Sequence, residues 1–147
     1  PSPLPLPISA AYLLHPTSSD LEVLVDLMQA AYDLPDEALP ALRLRLHNYF
    51  SAGDAHPLLD SSWMCFLDGR PISACLLAMP RDAQVPQLVD LMTVAPWQNH
   101  GLATVVLEKS LHALVENGFS SVQLTCYDAD LPVIHKLEQF GFEQVEN

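Results

Sequence analysis

Apolar and polar positions divide the chain into segments of two periods. Ile8–Leu14 is short, apolar and bounded by proline and polar residues, which predicts a first strand. Ser19-x-x-Glu22 has the form of a capping box. The helix it would open carries Leu21, Leu24, Val25, Met28 and Tyr32 on one face. A second helix follows the Leu34–Pro35–Asp36 break, with a stripe of Leu39, Leu42, Leu46 and Phe50 and an end at Gly53. Pro40 either kinks that helix or marks its first turn. Ala52–Asp60 is expected to be a loop.

The period then shortens. Trp63–Leu67 and Ile72–Met79 flank Asp68–Gly69, a hairpin turn signal. Gln87–Val94 is a further strand. Leu102–Glu116 returns to helical spacing through Leu102, Val106, Leu107, Leu111 and Leu114, and Asn117–Gly118 ends it. Ser121–Tyr127 alternates as a strand. Asp130 would cap a last helix with Pro132 in its first turn, closing at Phe140–Gly141, and Phe142–Val145 begins a final strand. The order β-α-α-β-β-β-α-β-α-β predicts an α/β domain over residues 8–147. Its sheet is mixed, mostly antiparallel, with helices on both faces. Residues 1–7, rich in proline, form an extended lead-in or linker.

Composition narrows the partners. Six Lys plus Arg stand against eighteen Asp plus Glu, a formal charge of −12. Duplex binding needs clustered cations, so neither nucleic acid nor an anionic membrane is an expected partner, whereas cationic amines are favoured electrostatically. No apolar run approaches the roughly 20 residues that span a bilayer. Cys65, Cys75 and Cys126 are widely spaced in apolar runs, a pattern of small core residues that suits a reducing, cytoplasmic setting. The histidines have no paired spacing, and no metal site is expected.

The chemistry concentrates where a strand feeds a helix. Val94–Ala95–Pro96–Trp97–Gln98–Asn99–His100–Gly101–Leu102–Ala103 runs from strand to turn to helix amino-terminus, where free N–H groups and the helix dipole favour an anion. Gln98-x-x-Gly101-x-Ala103 resembles the pyrophosphate loop of the GNAT superfamily of N-acetyltransferases, Gln/Arg-x-x-Gly-x-Gly/Ala. The ending Lys136–Glu143, a helix closing on Gly141–Phe142, looks like that family's second landmark.

The resemblance implies acetyl-CoA as co-substrate and a primary amine as acceptor, attacked directly in a ternary complex. It implies that Gln98, Asn99, His100, Gly101, Leu102, Ala103 and Thr104 wrap the pyrophosphate, and that backbone groups of Met92 and Val94 meet the pantetheine arm. Asp130 stands at the start of the last helix, where the family often has Asn, and joins the cofactor-side candidates. A glycine at 101 would let phosphate oxygens approach closely. The family often places Tyr four residues before the closing Gly to protonate the thiolate, and this chain has Leu137 there, so an ordered water would take that role.

Asp90, the acidic residue of an apolar strand, is the candidate general base, since burial would raise its pKa. Tyr127 closes the opposing strand as a second catalytic candidate, beside Asp128 in the acceptor pocket. Tyr32, Asp33, Asp36, Glu37, Tyr49 and Asp54 would suit a cationic acceptor. The sheet's final edge invites pairing with a second copy. The rival reading is a non-catalytic domain that binds acyl-CoA or another protein.

Overall fold

A computed structural model describes residues 11–53, 55–81, 83–98, 101–124 and 138–139. Strand β1 (Ala11–Leu14) leads into helix α1 (Leu21–Tyr32) through a 3-10 turn at Ser18–Asp20. The capping box forms two residues earlier than the sequence pattern places it. The Asp20 carboxylate accepts hydrogen bonds from the Thr17 backbone N–H at 2.8 Å and the Thr17 hydroxyl at 3.2 Å. Glu22 instead accepts from Arg43 Nε at 3.0 and 3.1 Å. Asp33, with φ of 51°, ends α1 in the left-handed region.

Helix α2 (Leu39–Phe50) has Pro40 in its first turn, where the missing N–H has no intrahelical partner to lose. Its buried side chains are Leu42, Leu46 and Tyr49. The expected Ala52–Asp60 loop contains a short strand, β2 (Ala55–Pro57). Then follow β3 (Trp63–Leu67), β4 (Arg70–Pro80), β5 (Gln87–Thr93), α3 (Leu102–Glu116) and β6 (Gln123–Leu124). The first residues of the expected strand Ile8–Leu14, the end of Ser121–Tyr127, and the last helix and strand apart from 138–139 lie outside the described residues.

The sheet runs β1-β3-β4-β5-β6, with β2 also paired to β4. Pairings are antiparallel except β5 with β6, which is parallel. This is the mixed, largely antiparallel sheet with helices on both faces that the pattern predicted. On one face, α1 and α2 set Leu24, Val25, Leu27, Met28, Leu42 and Leu46 against Met64, Leu76, Ala78 and Met92. On the other, α3 sets Val106, Leu107, Leu111 and Leu114 against Cys65, Cys75, Leu77 and Leu88. None of the described helices is long and apolar enough to cross a membrane.

One irregularity matters for the site. Along β4 and β5 the register steps from Leu76↔Asp90 to Leu77↔Leu88, so Val89 is an extra residue on β5. Bulges of this kind re-aim side chains. Here Leu88 and Leu91 pack on the α3 side, Val89 packs on the α1/α2 side, and Asp90 turns to that side as well.

Candidate active site

The end of β5 sets which backbone groups a ligand can meet. Val94 N–H donates to the Ile72 carbonyl at 3.0 Å, and the Val94 carbonyl accepts from Trp97 N–H at 2.9 Å. Backbone groups alternate between the two edges of a strand, so those of Met92, like those of Val94, face β4. The groups on the opposite edge belong to Leu91 and Thr93. The expectation that Met92 and Val94 offer their backbone to the pantetheine arm meets the observation that the Val94 N–H is already bonded to the Ile72 carbonyl. Among the described residues, β6 pairs with β5 only at Gln87 and Leu88, upstream of both. Thr93 is fixed through its side chain. Its Oγ1 lies 3.0 Å from Ser73 Oγ, and Ser73 donates to the Met92 carbonyl at 2.9 Å.

Beyond β5, a 3-10 turn at Ala95–Trp97 leads through Gln98 to Gly101 and α3. Gln98 Nε2 donates to the Thr93 carbonyl at 2.9 Å. Its side chain therefore folds back on the strand and closes the turn. Gly101 has φ of +82°, and a Cβ built on it would meet no protein atom within 4 Å. The glycine is thus required by its left-handed backbone rather than by crowding within the protein. The first intrahelical bond runs from Val105 N–H to the Gly101 carbonyl at 3.0 Å. It leaves the N–H groups of Leu102, Ala103 and Thr104 without acceptors in the helix. No acidic side chain stands in that first turn to compete with a phosphate. Leu102 is buried against β4 and α3 neighbours and anchors the turn. Asn99 and His100 lie outside the described residues.

On the opposite face, Asp90 is 7% exposed and doubly held. Its Oδ1 accepts from the Tyr32 hydroxyl at 3.1 Å and its Oδ2 from Arg45 Nη2 at 2.9 Å. Burial raises the Asp90 pKa, while the Arg45 charge and the two hydrogen bonds pull it down. Tyr32 is also shifted upward, by burial first and by the Asp90 charge second. The carboxylate is thus committed to a cation and a phenol. Sequence reasoning missed Arg45. Its partner lies 45 residues away along the chain, and no local pattern marks the pair.

The other acceptor candidates separate. Tyr49 is a core residue whose hydroxyl donates to the Leu77 carbonyl at 2.7 Å and lies 3.2 Å from Ser62 Oγ. Asp36 accepts from Gln29 Nε2 at 2.8 Å on the surface. Asp54, Cys126, Tyr127, Asp128, Asp130 and Leu137 lie outside the described residues. Among the described residues no group of three His, Cys, Asp or Glu side chains is placed to hold a metal ion.

A family model described as the acetyltransferase (GNAT) family matches residues 21–142. The chain belongs to the GNAT acetyltransferase family. Solved structures of this family share its fold. An aminoglycoside N-acetyltransferase in complex with CoA superposes with a TM-score of 0.66 at 14% identity, covering 93% of this chain and 90% of its own. The ribosomal-protein-S18-alanine N-acetyltransferase of Escherichia coli gives 0.69 at 15% identity, with 92% and 79% covered. A predicted acetyltransferase from Clostridium acetobutylicum, solved with acetyl-CoA, gives 0.65 at 15% identity, with 93% and 92% covered. A comparison with curated proteins gave no match. GNAT enzymes are acyltransferases, and the fold expected from the pattern and acetyl-CoA as co-substrate both agree with these structures.

Proposed function

We propose that this GNAT domain transfers the acetyl group of acetyl-CoA directly to a primary amine in a ternary complex. The amine nitrogen bonds to the acetyl carbonyl carbon and the C–S bond breaks. One amine proton leaves before attack and another goes to the departing thiolate, through water in place of the absent tyrosine at Leu137. The observation that carries the reading is the open first turn of α3 behind Gly101, whose Leu102, Ala103 and Thr104 N–H groups have no acceptors in the helix and would suit a pyrophosphate. Backbone groups of Leu91 and Thr93 would then meet the pantetheine arm and the thioester oxygen. Tyr127 and Asp130 remain part of this proposal.

The test is thermal unfolding with and without acetyl-CoA, followed by thiol release in the presence of amines. A ligand that prefers the folded state must raise its melting temperature. The parent should shift, and Gly101→Glu should lose the shift relative to its own baseline. No shift at acetyl-CoA concentrations on the order of 1 mM would remove the proposal.

The hold of Arg45 on Asp90 favours a second reading, a domain that binds acyl-CoA without turnover, because the buried carboxylate is not a free base. Tight cofactor binding with no thiol released across a broad amine panel would select it. A homodimer and a cytoplasmic setting belong to the proposal too. They are supported by the position of β1 at an edge of the described sheet and by the buried free thiols of Cys65 and Cys75. A monomeric mass in light scattering would overturn the dimer.

A further inference from the structure

The bulge at Val89 places the Asp90 carboxylate on the α1/α2 face, one residue upstream of the ligand-facing backbone of Leu91. Tyr32, at the last position of α1, is 44% exposed, and the Arg45 side chain is 52% exposed. These two half-exposed groups stand between a buried carboxylate and solvent. Arg45 uses Nη2 alone, on Asp90 at 2.9 Å and at the limit of contact with the Val89 carbonyl at 3.5 Å. Among the described residues its Nε and Nη1 have no partner, and a guanidinium presents five N–H donors in a fixed fork. The Asp90 carboxylate likewise has acceptor capacity beyond its two bonds.

Charge decides what can join this group. Asp90 and Arg45 together are neutral. A simple ammonium entering beside them makes the site net positive in surroundings where unpaired charge is costly. A molecule that brings an ammonium and a carboxylate keeps it neutral, with the ammonium on Asp90 and the carboxylate on the unused prongs of Arg45. The 2.9 Å Asp90–Arg45 contact suits two groups carried close together on one small molecule.

Resting on the acetyltransferase reading above, we propose that the acceptor is a primary amine carrying its own carboxylate, of the α- or β-amino acid type. Arg45 reads the carboxylate, and Asp90 holds the ammonium before it loses its proton. Both are specificity-determining residues at the acceptor, distinct from the α3 turn that meets the cofactor.

The test compares amino acids with their primary amides in matched pairs: leucine and leucinamide, glutamate and its α-amide, lysine and lysinamide, β-alanine and its amide. Thiol release gives kcat/KM, corrected for the fraction of neutral amine. In parallel, the melting temperature of the CoA-bound protein is read with each amine. The acid should be favoured about tenfold or more in at least one pair, as expected where a buried polar group is left unpaired by the analogue. Arg45→Gln should bring that ratio near one, and Arg45→Lys should restore part of it. Where Arg45→Gln does not fold, the parent ratio and Arg45→Lys decide. Acids no better than amides in both rate and melting shift overturn the inference, as does a preference that survives both substitutions. The two proposals fail differently. Amides acetylated as well as acids leave the acetyltransferase reading standing, whereas no acetyl-CoA shift and no thiol release remove both.

Discussion

The two faces of the sheet bury similar apolar side chains and differ in the polar groups they hide. The α3 face contains neutral groups: the Ser73 and Thr93 hydroxyls, the Ser110 hydroxyl and the thiols of Cys65 and Cys75. The α1/α2 face contains a buried charge, Asp90, with its phenol and guanidinium partners. This separation divides the chemistry. On the proposed reading, ligand recognition on the α3 side would fall to main-chain N–H groups at a helix terminus, which any side chains that form the turn can present. On the α1/α2 side it would fall to particular side chains, where one substitution should change what is bound.

If polarity rather than packing distinguishes the faces, deleting equivalent apolar volume should cost the same on each. Leu27→Ala on α1 and Leu107→Ala on α3, both 1% exposed, should each lower stability by about 3 kcal/mol in denaturant titrations. A difference above about 2 kcal/mol would mean that one face relaxes far more than the other and would break the comparison.

The next largest effect separates the faces by pH. Arg45→Gln leaves the buried Asp90 without its cation and should cost about 2 kcal/mol at neutral pH. Asp90 already has a raised pKa in the folded protein, and loss of Arg45 raises it further. Between the unfolded and folded pKa values the folded state binds more protons, so stability is greatest on the acid side and falls as pH rises through the folded value. The variant should therefore be hurt less at pH 5 than at pH 8. Ser73→Ala on the other face removes a hydroxyl that does not titrate in this range. It should cost about 1 kcal/mol at both pH values. A flat pH profile for Arg45→Gln would show that Asp90 is not the buried charge of this face.

Gly101 sharpens the main-chain half of the comparison. With φ of +82° and open space where a Cβ would stand, Gly101→Ala should cost about 1–2 kcal/mol from conformation alone. Gly101→Asn should cost less, because asparagine tolerates that region better. The cofactor-induced melting shift should survive in Gly101→Asn, which keeps the turn. Equal destabilisation by Ala and Asn would mean that crowding, not backbone conformation, selects the glycine.

Much of the fold was legible because its elements are locally coded. The α3 helix begins and ends where its apolar spacing and the Asn117–Gly118 stop signal place it. The hairpin turns at Asp68–Gly69, both at positive φ. What escaped depends on non-local pairing. Ala55–His56–Pro57 reads as loop, and only its place beside Ala78–Pro80 of β4 makes it a strand. The capping box is built on Thr17 rather than Ser19 because a 3-10 turn, which Thr17 caps, precedes α1. The parity of β5, which turns the backbone groups of Leu91 and Thr93 away from β4, follows from the Val94–Ile72 bond, and sequence alternation alone leaves that assignment open. Asp90 stood out as an acid in an apolar strand, but its partners sit 58 and 45 residues away on two helices.

The smallest expected effect is an absence of reaction. Cys65 and Cys75 both lie at 0% exposure under α3, and burial pushes the Cys75 thiol up to about 12. Burial also raises Cys65. The thiolate is the reactive species, so neither should react in the folded protein at pH 8. Titration with a disulfide reagent should count at least two more thiols in guanidinium than in native buffer, from the three cysteines of the chain. Native modification of either Cys65 or Cys75 at a rate comparable to the denatured protein would mean that α3 lifts from the sheet. The first turn of α3 would then not be the fixed main-chain cradle that distinguishes its face from the one holding Asp90.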